Sequence, residues 1–525
     1  MLTHERAETT AAEPSEPERR VFAVHGMRPE PGGYAVAKFS RSARPFEEWA
    51  SELTQAGAER FYEQWYFQYG HASIADLAHL MLVLENVSIV AAIAVLDEQL
   101  VDAQESSTRY QSFRRRRYYT PPEIAASPLA AEYRATCDAL FAVYARVHEA
   151  LTTRWLERYA GERPPDLSDD EYRRTVRARA FDVARYLLPT STLTGLGYLA
   201  SARTLERQIT RLLSEPLAEL REVGAALREA ATTRPAFNPQ ARRLRPLLDA
   251  LAASGWPRAP ELRAALEETA LAEAPVAPTL VKYTAPSAYL QRTYAELAAA
   301  VAAYVPARAP DGARGVDLVE PHDPERELVA TLIYRCTSYS YRQALAAAEE
   351  LSAAQRAELI DLAHRYRGPH DPPLRETRTG YQLIFDLCVD CGAFRDLHRH
   401  RNCVQVLQSF TPVHGYDTPA AIAEVGLEAE YHAVMQRAGA MARALATLGA
   451  ELPQYALPLG YRRRALFKMD AAQLAYIAEV RTRPAGHFSY REIAHAMFAA
   501  FAARYPTLAR YVRVSDPHEE RFFER

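Results

Sequence analysis

Apolar residues recur at spacings of three and four over most of the chain, which predicts a mainly helical protein. Helices predicted from this spacing cover residues 61–69, 75–99, 130–160, 171–188 and 202–230. Strand-like runs are few, and the clearest lie at residues 20–24 and 315–319. The pattern therefore predicts long helices with only a small amount of sheet.

Proline-rich stretches at residues 234–246 and 305–324 divide the chain. A chain of 525 residues is too long for one ordinary hydrophobic core, so two domains are expected. Because a strand-like segment opens after the second stretch, we place a linker there. The predicted organisation is a disordered tail at 1–20, a first domain at 21–305, a linker at 306–315 and a second domain at 316–525.

Three short segments of the first half recur in the same order in the second half. Tyr186-Leu-Leu-Pro189 returns as Tyr455-Ala-Leu-Pro458, and Pro278-Thr-Leu-Val-Lys-Tyr283 returns as Pro506-Thr-Leu-Ala-Arg-Tyr511. Ser107 has its counterpart in Ser409. The offset between matching segments shrinks along the chain, so the first copy carries an insertion, predicted near 234–262. Ordered recurrence of this kind predicts a tandem duplication.

Composition excludes several classes of protein. Hydrophobic residues make up 48% of the chain, the net charge is −3 and the pI is about 6.6, which gives no electrostatic case for nucleic acid or an anionic membrane. Five cysteines are too few for a disulfide scaffold. No apolar run reaches the ~20 residues that span a bilayer, and the polar first residues do not resemble a secretion signal. We expect a cytoplasmic protein.

The most specific motif is Arg399-His400-Arg401, followed after seven residues by Ser409. Two arginines that flank a histidine offer forked donors to a phosphate or to the polar edge of a ring. The motif resembles the signature of the flavin-dependent thymidylate synthase (ThyX) family. The resemblance implies that Arg399, His400 and Arg401 bind FAD and contact the nucleotide dUMP.

The first half holds the other part of that signature. Gln104-Glu105-Ser106-Ser107-Thr108-Arg109-Tyr110 resembles the family's Asn-Glu-x-Ser-x-Arg-Tyr. The resemblance implies that Glu105, Ser107 and Arg109 hold the pyrimidine nucleotide. The first half reads Asp97-Glu-Gln99 where Arg-His-Arg would stand, and the second half lacks the Arg-Tyr pair after Ser409. Each half therefore keeps what the other has lost.

Further motifs agree with the same family. Gly70-His71-Ala-Ser73 resembles a flavin-contacting segment, to which His370 is the nearest counterpart in the second half. Arg185 stands in a segment similar to one whose arginine contacts dUMP. Arg491 stands in a late helix whose arginine is implied to polarise the uracil carbonyl. Arg491 is thus the predicted catalytic residue, together with Ser409 in a hydrogen-bonding role.

The resemblance implies an α+β fold of two tandem ThyX-like domains, each mainly helical around a small, mostly antiparallel sheet. It implies FAD-dependent methylation of dUMP to dTMP, with methylenetetrahydrofolate and NADPH as co-substrates. The active sites would be shared between the two copies, and a homodimer would mimic the family's tetramer. Two alternatives stay open: a catalytically degenerate nucleotide-binding relative, and a sister flavoenzyme that modifies another pyrimidine nucleotide.

A zinc site is the main competing interpretation of the second half. Cys388, Cys391, His398, His400 and Cys403 lie close together in the sequence. Cysteine is also a common small hydrophobe in buried helices, and His400 already belongs to the flavin motif. We therefore predict no metal site.

Overall fold

The structure is a computed structural model of the chain. It describes residues 22–524, apart from residues 23, 25, 41–45, 47–53, 69–71, 114–116, 269–274, 289, 293–294, 296–313, 320–322, 337–340, 366–374, 378–379, 381 and 520. The predicted tail at 1–20 and most of the predicted linker at 306–315 lie outside the described residues. The domain limits therefore stay predictions.

The chain divides into two compact units, Met1–Ala78 and His79–Arg525. The helical elements of the first unit are α1 (Pro29–Phe39), α2 (Gln55–Tyr62), a π-helix (Glu63–Gln68) and a 3-10 helix (Ala72–Leu77). Tyr62 is fully buried in this unit, and its hydroxyl donates to the carbonyl of Glu30 at 2.8 Å. The helix predicted over residues 61–69 is confirmed up to residue 68, as the end of α2 followed by the π-helix.

Both sets of repeated motifs fall in the second unit. The elements of its first part are β1 (His79–Ser88), α3 (Ile89–Leu96), β2 (Val101–Glu105), α4 (Pro122–Ala125), α5 (Ala130–Arg158), α6 (Asp169–Ala184), β3 (Leu193–Ser201), α7 (Ala202–Leu213), α8 (Ala218–Thr232), α9 (Pro239–Ala253) and α10 (Ala259–Glu268), with 3-10 turns at Ala160–Glu162 and Arg185–Leu187. The predicted helices 130–160 and 171–188 are confirmed as α5 and α6, with ends that differ by a few residues. Helices α9 and α10 occupy the region where an insertion is predicted.

The second part of this unit runs through a similar order. Its elements are β4 (Gly315–Val319), α11 (Pro324–Cys336), α12 (Tyr341–Glu350), α13 (Ala353–His364), β5 (Leu383–Asp390), α14 (Cys391–His398), β6 (Val404–Leu407), α15 (Ala421–Glu424), α16 (Glu428–Leu445), β7 (Arg462–Met469), α17 (Ala471–Arg481), α18 (Phe488–Arg504) and α19 (Pro506–Ala509), with 3-10 turns at Arg375–Thr377, Pro412–His414 and Leu452–Ala456. The predicted strand at 315–319 is confirmed as β4.

The two parts build equivalent antiparallel sheets. The first sheet has the strand order β1-β3-β2, and the second has the order β4-β5-β7-β6. In each, a strand, a short helix and a second strand are followed by a helical segment, a third strand and two helices; the helical segment has two long helices in the first part and one in the second. We refer to β1–α8 as the first repeat and to β5–α18 as the second repeat. This order confirms the predicted α+β fold of two tandem domains, each with a small antiparallel sheet.

Two helix predictions in the first repeat are wrong in detail. Residues 79–88 form β1 rather than the middle of a helix at 75–99. In this run Leu80, Leu82 and Leu84 are buried while Met81 and Val83 are exposed, which is the period of two that a strand requires. A continuous apolar run has no contrast between faces, so the sequence alone did not reveal that period. The predicted helix 202–230 is two helices, α7 and α8, separated by residues 214–217, which include Pro216.

The repeated Tyr-x-Leu-Pro segments meet where the two repeats join. Pro189 and Pro458 form an isolated antiparallel bridge, so each segment faces its own counterpart. The amide of Thr190 donates to the carbonyl of Leu457 at 3.0 Å, and the amide of Leu459 donates to that of Leu188 at 2.9 Å. The repeats therefore join about a local two-fold relation.

In each repeat, the residue that caps the short helix forms a buried hydrogen bond between a hydroxyl and a carboxylate. The cap is the hydroxyl in the first repeat and the carboxylate in the second. Ser88 caps α3, and its amide and hydroxyl both donate to Glu219 on α8. Tyr455 of the second repeat also donates to Glu219, at 2.8 Å. In the second repeat Asp390 caps α14 and accepts from the hydroxyl of Ser489 on α18. Burial is the main cause that raises the pKa of Glu219 and of Asp390.

Candidate functional site

A cavity of about 520 Å³ lies between the outer face of the first sheet and arginines of the second repeat. It is lined by Met81, Val83, Leu96, Val101, Asp102, Ala103, Gln104, Glu105, Gly197, Tyr198, Leu199, Arg399, Arg401 and Arg481. The sheet supplies a largely apolar floor, and the arginines supply positive charge. An apolar surface with a few convergent polar groups is typical of a site for a small organic ligand.

The floor follows from the alternation of side chains along the strands. The even-numbered leucines of β1 pack into the core, so Met81 and Val83 point outward and are 73% and 69% exposed. Met81 pairs with Leu199 on the central strand β3, and Val83 pairs with Gly197. Gln104 of β2 pairs with Gly197 from the other side. The three strands thus present one continuous outward face to the cavity.

The Arg-His-Arg motif follows the short helix α14. Arg399 is the C-cap of α14, and a nitrogen of its guanidinium lies 3.6 Å from a carboxylate oxygen of Asp396. Arg401 donates to Asp102 at the edge of the first sheet. Arg481 ends α17, and its Nε donates to Nε2 of His400 at 2.7 Å. Arg399 and Arg401 keep about a third of their side-chain surface exposed, so an incoming anion can reach them.

One buried carboxylate, Asp396, holds this group of arginines together. Burial alone would raise the pKa of Asp396, but Arg185, Arg399, Arg109 and Arg481 outweigh it and hold the pKa well below its usual range. Asp396 is therefore charged at neutral pH. Arg109 is itself paired with Asp182, so Asp396 balances only one of the three charges of Arg185, Arg399 and Arg481, which leaves an excess of positive charge at the site.

Buried ion pairs connect the two repeats around the cavity. Glu105, from the first repeat, accepts from the guanidinium of Arg395 in the second, and both side chains are almost fully buried. Nη1 of Arg185 donates to Asp396 at 3.2 Å. The Nε and Nη2 atoms of Arg185 are buried and have no hydrogen-bond partner among the described residues. Buried donors are normally paired, so an acceptor from a ligand or from water would satisfy these two atoms, although Arg185 does not itself line the cavity.

Arg109 forms the most extensive of these connections. Its Nε and Nη2 donate to the two carboxylate oxygens of Asp182, at 2.6 and 3.2 Å. Its Nη1 donates to the hydroxyl of Tyr490 at 3.2 Å, and Nη2 also donates to the carbonyl of Ala485 at 3.3 Å. Arg109 therefore ties the first repeat to the second, and a role in nucleotide binding stays a prediction.

The two predicted catalytic residues, Ser409 and Arg491, are not among the residues that line the cavity. The hydroxyl of Ser409 donates to Glu451 at 2.9 Å, whereas its counterpart Ser107 accepts from the amide of Arg109 at 3.1 Å. The guanidinium of Arg491 donates to the carbonyls of Thr482, Asp516 and Glu519. Neither Ser409 nor Arg491 lines the cavity. Their catalytic roles stay predictions, and these contacts add no support to them.

Three predicted flavin contacts belong to other parts of the chain. His71 and His370 lie outside the described residues. Ser73 lies in the 3-10 helix Ala72–Leu77 of the first unit. Their predicted roles stay untested.

Sequence reasoning missed three residues that hold the site together: Arg395, Asp396 and Arg481. Arg395 precedes Arg399 by four residues, a spacing that places two side chains on the same face of a helix. That spacing was the available signal. Arg481 comes from α17, and nothing in the sequence near the Arg-His-Arg motif pointed to it.

In the first repeat, acidic and neutral residues stand at the positions that correspond to Arg399 and Arg401. Asp97 is the C-cap of α3, as Arg399 is of α14, and its carboxylate lies 3.7 Å from Arg211. The side-chain amide of Gln99 donates to the carbonyl of Cys403 at 2.7 Å. Gln454, in the segment that repeats the one containing Arg185, bonds to Glu451. The arginine-rich arrangement is thus present beside the first sheet, and different residues stand at the matching positions beside the second.

His400 is held neutral inside the arginine group. Its pKa is lowered to about 3, chiefly by burial and then by the neighbouring charge of Arg481. The hydrogen bond from Arg481 to Nε2 requires a lone pair there, which agrees with a neutral ring. His400 therefore positions Arg481 rather than carrying charge itself.

We expect the free energy of unfolding to decrease as the pH falls from about 6.5 to about 3, in part because of His400. In that window the unfolded chain binds a proton at this histidine and the folded chain does not. Chemical denaturation at a series of pH values measures the slope. The His400→Gln variant should show a shallower slope, with His518→Gln, at an exposed histidine, as a surface control. Equal slopes in His400→Gln and the wild type would contradict this assignment.

No group of three or more histidine, cysteine, aspartate or glutamate side chains is placed to hold a metal ion in the described part of the chain. The zinc interpretation of Cys388, Cys391, His398, His400 and Cys403 thus finds no such group. Cys403 instead donates to the carbonyl of His400 at 2.9 Å. Within the same described residues, no helix is long and apolar enough to cross a membrane.

The fold and the site define a protein of two homologous α+β repeats that share an arginine-lined cavity. A family model described as Thymidylate synthase complementing protein matches residues 26–235 and 319–507. These two segments make up most of the chain, and each contains one of the repeats. The chain therefore belongs to this family, as a tandem of two diverged copies. Membership supports a role in nucleotide modification, in a family that is flavin-dependent in general.

Two relatives align with most of this chain at low identity. A UPF0159 protein of Chlamydia pneumoniae is 28% identical over 472 residues, which cover 87% of this chain and 82% of the relative. A UPF0159 protein of Thermoplasma acidophilum is 26% identical over 525 residues, with 92% and 95% covered. A solved structure of the UMP/dUMP methylase PolB from Streptomyces cacaoi, bound with 5-Br dUMP, covers 37% of this chain and 93% of its own, with 14% identity and a TM-score of 0.29. That TM-score is too low to bear on the ligand of this chain.

Proposed function

We propose that this protein is a flavin-dependent thymidylate synthase that methylates dUMP to dTMP at one site per chain, built from both repeats. The observation that carries the proposal is the convergence of Arg399, Arg401 and Arg481 on a cavity with an apolar floor. Methylenetetrahydrofolate would supply the carbon and NADPH the reducing equivalents. Family membership supports the class of reaction, and the arrangement of charge supports anionic ligands.

The residues around the cavity fit FAD. The floor of the first sheet suits a planar ring, and arginine suits phosphate and stacks on aromatic faces. Arg399 and Arg401 would hold the cofactor, with Arg481 fixed behind them by its bond to His400. FAD would supply the redox chemistry when bound. The part of this chain is to bind, to orient and to keep a positive environment next to the reacting base.

The nucleotide would bind to the more deeply buried arginines that surround Asp396. Arg185 is the strongest candidate for its phosphate, because two of its donors are buried without a partner among the described residues. A phosphate that accepts both bonds would satisfy them in the forked geometry that arginine prefers. Ser107, two residues after the end of β2, is a further candidate, in place of its counterpart Ser409.

Flavin and nucleotide binding by the purified protein tests this proposal directly. We expect flavin absorbance bands in the isolated protein or after addition of FAD, and heat release on titration with dUMP. Complementation of a thymidine-requiring strain tests the complete reaction. The variant Arg185→Lys keeps the charge but loses the fork, and should weaken dUMP binding. Gln454→Ala, at the matching position of the other repeat, should have no effect.

The two alternatives predict different results from the same experiments. A degenerate nucleotide-binding relative would bind dUMP without flavin, a possibility favoured by the engagement of Arg109 with Asp182. A sister flavoenzyme would bind flavin but fail to complement, and would process another pyrimidine nucleotide. Absence of both flavin and nucleotide binding would contradict the proposal altogether.

A further inference from the structure

A row of three paired residues, one from each strand, crosses the outward face of the first sheet, and the middle residue of this row is a glycine. Gly197 lies on β3 between Val83 on β1 and Gln104 on β2, and all three residues line the cavity. A Cβ atom placed on Gly197 would meet no heavy atom within 4 Å. The backbone does not require glycine here, because its φ is not in the left-handed region. Packing therefore does not explain this glycine.

A glycine in the interior of a strand weakens the sheet, since it adds backbone entropy to the unfolded chain and packs no side chain. Such a residue often marks a place where a ligand approaches the backbone closely. At Gly197 the open space above the strand is the cavity itself. This points to a ligand that contacts the strand directly.

The matching row of the second sheet is filled. Leu466 occupies the central position on β7, between Asp386 on β5 and Val406 on β6. Nε of the adjacent Arg464 lies 3.0 Å from both carboxylate oxygens of Asp386, so an ion pair crosses this face. The two sheets share their topology but differ in whether the centre of the outward face is open.

We infer that Gly197 is the residue that allows a planar aromatic ring to lie on the first sheet, and that Leu466 denies this position on the second. The inference rests on the proposed function and names the ring of the flavin as the group that contacts Gly197. The face spans three strands, about 9.5 Å between the outer two at the usual strand spacing. That width suits a multi-ring system better than a single pyrimidine.

The opposite wall of the cavity agrees with a ring in this position. Arg399, Arg401 and Arg481 face the floor from the second repeat. Planar guanidiniums stack on aromatic faces, so a ring lying on Gly197 would have positive charge above it. The amide of Gln104, at the end of the row, can pair with a polar edge of the ring.

Titration of FAD into wild type, Gly197→Ala and Gly197→Leu tests the inference, with flavin fluorescence as the readout. We expect Gly197→Leu to weaken FAD binding by at least ~10-fold, since the leucine would occupy the ring's position. Gly197→Ala should have a smaller effect. The thermal midpoint of both variants should be equal to or above that of wild type, because the added atoms enter open space and strand propensity improves.

The reciprocal variant Leu466→Gly is the matched control. It should leave both FAD affinity and a stoichiometry of one FAD per chain unchanged, since the second sheet lacks the arginine group. Undiminished FAD affinity in folded Gly197→Leu would overturn this inference and leave the proposed function standing. Two FAD per wild-type chain would overturn this inference and also the single site per chain of the proposed function. A wild-type protein that binds no FAD would overturn the proposed function and this inference together.

Discussion

Replacing Arg399 and Arg401 together by alanine should weaken binding of FAD by roughly 100- to 10,000-fold, from the loss of two charge-assisted contacts of ~1.5–3 kcal/mol each. Both side chains line the cavity, and about a third of each is exposed. Neither arginine is the sole partner of a buried acid. Asp396, next to Arg399, still has Arg185 and Arg481 nearby, and Asp102, the partner of Arg401, is exposed. The folded structure should therefore survive the change.

A matched pair of variants makes this result specific. Asp97→Ala and Gln99→Ala alter the corresponding positions of the first repeat, which follow α3 as Arg399 and Arg401 follow α14. These changes should leave FAD affinity unaltered. Equilibrium titration measures affinity, and circular dichroism checks that each variant is folded. If the double arginine variant kept wild-type affinity while folded, the cavity would not be the flavin site.

Replacing Arg109 by alanine should lower the free energy of unfolding by about 3–5 kcal/mol. Arg109 makes a bidentate ion pair with Asp182 and donates to Tyr490 and Ala485. Both members of the pair are buried, so the variant leaves the carboxylate of Asp182 without its guanidinium. The contacts with Tyr490 and Ala485 also connect the repeats, so their loss should loosen the second repeat against the first.

A double-mutant cycle separates the cost of the unpaired charge from the loss of packing. Asp182→Ala combined with Arg109→Ala should recover a large part of the stability lost in Arg109→Ala, because no buried carboxylate then remains unpaired. Denaturation in urea gives the four free energies of the cycle. Purely additive losses would show that the pair is not coupled, and that Arg109 acts through its other contacts.

The family and the duplication were accessible from the sequence because they depend on local order. Arg399-His400-Arg401 and its spacing to Ser409 survive as a linear pattern, and so do the repeated Tyr-x-Leu-Pro segments. The family match over both segments confirms this prediction. The long helices were accessible for the same reason, since α5 and α6 keep apolar residues at helical spacing over many turns.

The strands were less accessible because their surroundings determine them. Residues 80–84 of β1 are all apolar, since one face packs in the core and the other forms the floor of the cavity. Without polar residues on the outer face of this stretch, the period of two is hidden. The strand was therefore hard to recognise from the sequence because its outer face is part of the proposed binding surface and is apolar.

The sequence by itself determined that each copy had lost part of the family's motif, and it predicted a site shared between the copies. It could not determine which partner each residue has. The Glu105–Arg395 contact joins residues that are 290 positions apart, and Arg481 reaches His400 from another helix. Only the tertiary structure decided that Arg399 and Arg401 share a cavity with the first sheet while Ser409 bonds to Glu451. The physical reason is that charge pairing and burial depend on distances between folded elements, which spacing along the chain does not fix.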